Sequence, residues 1–352
     1  MTRFFLIAAL SILCVKDLIG QKVIFGQVLD GATQEPLPYV NVYVNNSTIG
    51  IATNEHGEYS LSIPKGRHEV VFSLIGYNSK KLPFSVVDPD TSRLDMKLIP
   101  SKTQLETVQF QGSTDKEWEK LIKQFKRIFL GDTKSASHCV IKNAWCVDLE
   151  HLKMDGKKVL TAHASQPLEI ENLSLGYKIS YELQNFAATE DNERFSGNVF
   201  FIELKPKDAD QSQSWSRNRD YSYKGSLRHL FHSMLTKQVS KEGFDLFDCQ
   251  ISSDNKILDI ASYNAESIRI EPLKDRYRIW LPKALQISYL NHSVSGSRLV
   301  GNIFQSKGYI DVDYRGMLLD PLAVAITGYL GEFRVANLLP DDYQPDIIEA
   351  KE

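Results

Sequence analysis

Between positions 23 and 98 apolar and polar residues trade places every second position, in short runs that end at Gly, Pro, Asn or Asp. Tyr59, Leu61 and Ile63 alternate with Glu58, Ser60 and Ser62, and Val70, Phe72 and Leu74 follow the same rule. A period of two is that of a strand with one face buried. The pattern predicts strands at 23–29, 39–44, 49–53, 58–63, 68–75, 80–86 and 93–98. Asn45-Asn46, Asn54-Glu55-His56-Gly57 and Pro64-Lys65-Gly66 separate them, and Asn and Gly supply the positive φ that tight turns need. Seven short strands at this spacing point to a β-sandwich.

Beyond residue 112 the period lengthens. Trp118, Leu121, Ile122, Phe125 and Phe129 share one face of a predicted helix, and Gly131 closes it. Thr114 and Glu117 form its capping box. Lys116, Lys120, Lys123, Lys126 and Arg127 cover much of the remainder, which suits a solvated docking helix better than a membrane-surface helix. Alternation then returns. Asp155-Gly156 marks a hairpin, and Tyr177, Ile179, Tyr181 and Leu183 face one way on a strand that 195–204 can rejoin antiparallel. Residues 205–221 read as a long polar loop, and 226–240 as a second amphipathic helix with Leu227, Leu230, Phe231, Met234 and Leu235 inward. Further strands are expected near 267–272, 276–281, 285–290, 299–305 and 308–314, with a short helix and closing loop over 328–343.

Residues 4–15 form an almost unbroken apolar run after Arg3, too short to span a bilayer and followed by Gly20. Residues 1–20 therefore read as an export signal, with a buried N-terminal strand or a retained anchor as the competing reading. Cleavage would leave Cys139, Cys146 and Cys249, which is no disulfide framework. Cys139 and Cys146 could pair, or Cys146 could be core filler beside Trp145. A net charge of −3, with acids and bases interspersed, gives no broad electrostatic footprint for nucleic acid.

Four spaced blocks carry a resemblance: Gly26-Gln27-Val28, the run from Pro36 to Val42, the run from Thr53 to Tyr59, and Ile75-Gly76-Tyr77. Together they resemble the carboxypeptidase regulatory-like domain over about residues 23–100, with Thr53-Asn54 where that family has Thr-Asp. The resemblance implies a transthyretin-like or prealbumin-like sandwich of the kind found in envelope proteins of Bacteroidota-type bacteria. Three later blocks, 129–133, 223–229 and 338–343, resemble uncharacterised envelope proteins carrying the same module, and that likeness implies no activity. The expected organisation is a signal at 1–20, the sandwich at 21–100, a linker strand at 101–113, and a β-rich α+β domain with two amphipathic helices at 114–352. A receptor barrel of ~22 strands does not fit the remaining chain.

Candidate chemistry is sparse. A zinc carboxypeptidase needs His and Glu ligands around an open metal position, and no His-x-x-Glu or His-Glu-x-x-His occurs. His229 and His232 stand at i, i+3 on the second helix, close enough to share a metal, although no ligand partner lies nearby in sequence. His229 is placed on the polar side and His232 reads as a partly exposed helix residue. Asp311 and Asp313 flank Val312, which would put both carboxylates on one strand face, for acid–base work or simply for solvation. Asp88, Asp90 and Ser92 faintly resemble a calcium loop but lack its Gly and its distal Glu. No nucleophile elbow, Walker loop or dinucleotide fingerprint appears. Trp215, Arg217, Arg219 and Tyr221 form the best recognition cluster, of residue types suited to interfaces or carbohydrate stacking. The expectation is a non-enzymatic envelope component that binds a partner protein or glycan and uses no cofactor or metal. A hydrolase assembled from dispersed residues is the alternative.

Overall fold

The computed structural model describes residues 22–86, 91–101, 115–154, 156–190, 192–252, 256–291 and 297–345. The export signal, residues 102–113 of the linker strand, Thr114 of the capping box, Asp155 of the hairpin signal, and Asp88 and Asp90 lie outside the described residues.

The first region holds nine strands: β1 (Lys22–Asp30), β2 (Asn41–Val44), β3 (Gly50–Ala52), β4 (Glu58–Ile63), β5 (Gly66–Ser73), β6 (Tyr77–Asn78), β7 (Lys80–Val86), β8 (Thr91–Arg93) and β9 (Met96–Pro100). One sheet runs β4-β1-β9-β6 with β8 beside β1, and the other runs β3-β2-β5-β7. The alternating residues make the sandwich core: Tyr59, Leu61 and Ile63 of β4 meet Ile24, Val28, Val70 and Phe72, all buried. Burying each such side chain contributes ~1.5–3 kcal/mol. All seven expected strands are present, and the two additional ones, β6 and β8, are two and three residues long. Asn54 fixes the turn before β4, its side-chain oxygen accepting the His56 and Glu58 N–H groups at 2.9 Å each. Gly26 is required in β1 because a Cβ there would stand 2.2 Å from the Leu94 carbonyl oxygen, where the chain passes between β8 and β9.

The middle region opens with α1 (Asp115–Leu130), followed by β10 (Cys139–Ile141), β11 (Val147–Met154), β12 (Lys157–Ala164), β13 (Leu168–Asn172), β14 (Tyr177–Ala188) and β15 (Glu193–Glu203). The sheet runs β10-β13-β14-β12-β11, and β15 pairs with β14. Helix α1 lays Leu121, Ile122, Phe125 and Phe129 on this sheet, and Phe129 meets Tyr181 edge-on at 4.9 Å. Gly131, at φ +95°, ends the helix by donating its N–H to Arg127. The Gly156 turn joins β11 to β12 in the expected hairpin.

Next come α2 (Ala209–Tyr223), α3 (Leu227–Leu235), β16 (Phe244–Ile251), β17 (Ile257–Ser262), β18 (Ile270–Pro272), β19 (Tyr277–Trp280), β20 (Ala284–Asn291), β21 (Ser297–Gln305), β22 (Tyr309–Val312) and β23 (Val324–Gly328). They form a five-stranded sheet, β17-β16-β20-β21-β23, and a three-stranded one, β18-β19-β22. Leu230, Phe231 and Met234 of α3 anchor a third core against Phe244, Ile287 and Ile303. The chain is thus mainly β, and α1 and α3 are the two expected helices. Helix α2 is an addition that corrects the polar-loop expectation for 205–221.

The C-terminal segment fastens these cores together. The Asn172 side chain donates to Ala336 O at 2.9 Å, and Thr133 donates to the Asn337 side chain at 2.8 Å. The Arg228 guanidinium donates to the carbonyls of Pro340 (3.1 Å), Asp341 (3.1 Å) and Tyr343 (2.7 Å), and Arg315 donates to Asp341 O at 3.1 Å. Asp341 N–H in turn donates to Asn46 O in the sandwich. Among the described residues, no helix is long and apolar enough to cross a membrane.

Candidate functional site

Helix α2 has little apolar character, and hydrogen bonds dock it. Asp208 caps its start by accepting Gln211 N–H at 2.8 Å. Trp215 Nε1–H donates to Leu173 O (2.9 Å), Asn218 to Ser174 O (2.8 Å) and Arg219 Nε–H to Leu175 O (2.7 Å). These three carbonyls belong to the turn between β13 and β14, and burying them unpaired would be costly. The turn must accept the indole closely. Gly176 sits at φ +73°, and a Cβ there would lie 2.3 Å from the Trp215 ring. The Arg219 guanidinium stacks 4.1 Å over Tyr177 and pairs with Glu203 at 3.0 Å.

A second set of contacts joins this unit to the sandwich. Asn46 N–H donates to Val199 O (2.8 Å), Phe201 N–H to Ser47 O (3.0 Å) and Val199 N–H to the Asn45 side chain (2.8 Å). Asp342 accepts Thr48 N–H at 2.9 Å and the Thr48 hydroxyl as well. Between these contacts lies a cleft of about 430 Å³, walled by Thr48 of the sandwich, by Tyr177, Glu203, Trp215 and Arg219, and by Pro340, Asp342 and Tyr343 of the tail. A neighbouring groove of about 520 Å³ shares Thr48 and Glu203 with it, and is lined by Tyr43, Gly50, Ile51, Ala52, Phe200 and Ile202. Both volumes lie within the usual range of ligand sites. Burial raises the Tyr177 phenol above its ordinary value, so it remains a neutral hydroxyl at physiological pH.

Of the recognition cluster, Trp215 and Arg219 line the cleft, one helical turn apart on one face of α2. Arg217 and Tyr221 are exposed and do not line it. Trp215 is buried, so its ring edge belongs to the wall and it offers no open stacking platform.

The other candidate residues occupy separate settings. His229 is buried, which corrects its expected polar placement. Gly225 N–H donates to its Nδ1 at 3.0 Å, so Nε2 carries the proton and faces Glu242 at 3.2 Å. Tyr223, Phe244 and Tyr289 surround the ring, and burial holds its pKa below the usual value while Glu242 opposes that shift. His232 is half-buried, with the turn at Gly316 packed on its main chain. Asp311 pairs with Arg278 at 2.8 Å, and that hydrogen bond lowers its pKa. Asp313 lies just past the end of β22, is buried, and pairs with Arg315 at 2.8 Å while accepting the Arg315 and Met317 N–H groups. The two carboxylates are therefore held in separate ion pairs. Each is spent on an arginine. Cys139, Cys146 and Cys249 are free thiols, and burial pushes the Cys139 thiol up to about 12. Among the described residues, no group of three or more His, Cys, Asp or Glu could hold a metal ion.

The sandwich, with its Asn54–Gly57 turn and Gly26 crossing, now stands beside its sequence blocks. Residues 24–110 match the CarboxypepD_reg-like domain. Solved structures overlap the chain weakly. A 5-hydroxyisourate hydrolase from Klebsiella pneumoniae is 16% identical over 23% of this chain and 91% of its own, with a TM-score of 0.20. A DUF3823 family protein from Bacteroides ovatus is 11% identical over 53% of this chain and 82% of its own, at 0.19. A Bacteroides uniformis protein proposed to bind carbohydrate is 12% identical over 83% of this chain and 98% of its own, at 0.20. Overlaps at this level carry no functional conclusion. No curated protein matches the chain. The CarboxypepD_reg-like domain accounts for the sandwich and leaves the cleft to the junction it makes with the rest of the chain.

Proposed function

We propose that this chain is an exported, non-enzymatic binding or assembly protein of the cell envelope. It holds a partner protein or glycan in the periplasm or at the outer-membrane periphery. The observation that carries the reading is the cleft itself, whose walls come from the sandwich, the middle sheet with α2, and the tail, each fixed by hydrogen bonds across the junction. A preorganised site of this kind, whose wall mixes charged and hydroxyl side chains with aromatic rings, suits recognition. The 21–100 sandwich and the 114–352 region then act as two jaws joined by a linker at 101–113. A hydrolase built on His229, His232, Asp311 and Asp313 gains no support from their separate settings.

The test is site-specific photo-crosslinking in intact cells. A benzophenone side chain at Pro206, exposed on the cleft rim, should yield one adduct of defined mass, and the same group at exposed Lys153 should not. Identical adduct patterns from both positions, or none from Pro206, would sink the binding reading. Export is checked separately, by sequencing the N-terminus of the protein in the periplasmic fraction, which should begin at Gln21.

A further inference from the structure

The outer edge of β15 is only partly covered. Val199 and Phe201 turn their main-chain groups away from β14, since Val199 O accepts Asn46 N–H at 2.8 Å and Phe201 N–H reaches Ser47 O at 3.0 Å. Strand alternation aims Phe201 C=O and Glu203 N–H in the same direction. There the sandwich chain departs, because Thr48 N–H is taken by Asp342. Among the described residues, no main-chain group pairs with Phe201 C=O or Glu203 N–H. The turn at 45–47 thus begins a strand pairing on this edge and leaves it unfinished.

The 520 Å³ groove lies where that pairing would continue. Its floor is the outer face of β2 and β3, where Asn41 stands opposite Ala52 and Tyr43 opposite Gly50. The side-chain-free Gly50 and the short Ala52 keep the floor low. Phe200, 5.0 Å from Tyr43, forms the inner end. Ile202 is 46% exposed along the groove. At its junction with the cleft, the carboxylates of Glu203 and Asp342 stand against one guanidinium, that of Arg219.

We propose that this groove is a strand-addition site for an extended segment of a partner polypeptide. The segment bonds through its main chain to Phe201 C=O and Glu203 N–H, rests alternate apolar side chains on the Gly50–Ala52 floor beside Ile202, and sets a basic side chain near Glu203 and Asp342. An unpaired strand edge beside an apolar floor is what β-augmentation uses: main-chain bonds give affinity and alternate side chains give selectivity. A glycan offers no such ladder of alternating donors and acceptors. The proposal rests on the binding reading above and narrows its partner to a polypeptide.

The experiment pans a display library of random dodecapeptides against the purified mature chain. Selected peptides should carry alternating apolar residues with a Lys or Arg, and should protect the Glu203 amide from hydrogen exchange. Glu203→Pro removes the outward N–H without touching the β14 ladder, and Ala52→Trp fills the floor. Each should weaken peptide binding by at least ~tenfold; Glu203→Gln, which keeps the N–H and loses only the charge facing the basic side chain, should weaken it less than Glu203→Pro, and Lys153→Gln, exposed on β11 outside the groove, should leave it unchanged. Thermal midpoints report folding, and Ala52→Trp carries the test if Glu203→Pro does not fold. Three results would overturn the proposal: no peptide above background, peptides that leave the Glu203 amide exchanging, or equal binding to Ala52→Trp. Protection of that amide by concentration-dependent self-association, without peptide, would make a second copy the occupant and overturn it as well. A specific adduct from Pro206 alongside failed panning would leave the binding reading standing and remove only the strand-addition site.

Discussion

Arg228→Met should unfasten the tail while leaving the three cores packed. The guanidinium makes three hydrogen bonds, of 2.7–3.1 Å, to the carbonyls of Pro340, Asp341 and Tyr343. Charge-assisted bonds contribute ~1.5–3 kcal/mol each, and carbonyls that regain water recover part of that, so the net loss should be about 3–5 kcal/mol. Methionine keeps most of the aliphatic stem, which limits the packing loss beside Tyr223. The loss should be local, because the tail's other anchors lie on different elements: Asn172 to Ala336 and Thr133 to Asn337. Hydrogen exchange reads this directly. The Asp341 amide, bonded to Asn46 O in the native chain, should exchange ~10²–10⁴-fold faster, while amides in β4 and β14 hold their protection. The 430 Å³ cleft should lose its Pro340–Tyr343 wall at the same time, and any ligand captured from Pro206 should be lost with it. Native exchange at Asp341 in the variant, or a uniform loss of protection across all three cores, would refute the reasoning.

Three further outcomes follow from individual sites. Phe129→Ala removes a buried ring packed on Tyr181 and Phe195 and should lower stability by ~3–5 kcal/mol in urea titration, more than any change on the exposed lysine face of α1. Gly176→Val requires a side chain at φ +73° where the Trp215 ring already stands; it should displace the indole and shift tryptophan emission to longer wavelength, and an unchanged spectrum would count against the interlock. Asp341 is half-buried, with one carboxyl oxygen buried and lacking a partner, and that desolvation raises its pKa to about 7 against the opposing pull of Arg315 and Arg228. A carboxyl raised above its unfolded value binds more protons when folded, so its contribution favours the fold at low pH and declines from about pH 4 to 7. The stability difference between the wild type and Asp341→Asn should therefore change across that window and be flat above it, as thermal melts at stepped pH would record.

How much of this could be read beforehand depended on whether an element buries an apolar stripe. Strand β4 and helix α1 do, so Tyr59, Leu61 and Ile63, and likewise Phe125 and Phe129, announced themselves by spacing. Helix α2 does not. Among its fifteen residues, only Trp215, Ser222 and Tyr223 are buried, and carbonyls supplied by the 173–175 turn hold it, which no periodicity can foretell. Its one legible signal was the Asp208 cap. The site was legible only through Trp215 and Arg219. Thr48 and Asp342 meet across 294 positions, a distance at which neither residue type signals the other. His229 misled for a different reason: a short helix flanked by Gly225 and packed against β16 and β20 buries more of its circumference than its apolar residues cover.

The tail has one more consequence, and it concerns order in time. Residues 335–343 follow in the chain every element they fasten, from Asn46 to Arg315. A chain emerging N-terminus first can collapse its sandwich from residues already present, whereas the middle core is completed only when Val335, Ala336 and Leu339 of the tail arrive. The cleft cannot exist at any of those stages, because its last wall is still unmade. Recognition competence would then appear abruptly as Tyr343 docks, and a chain arrested earlier would hold its sandwich yet be blind to its partner.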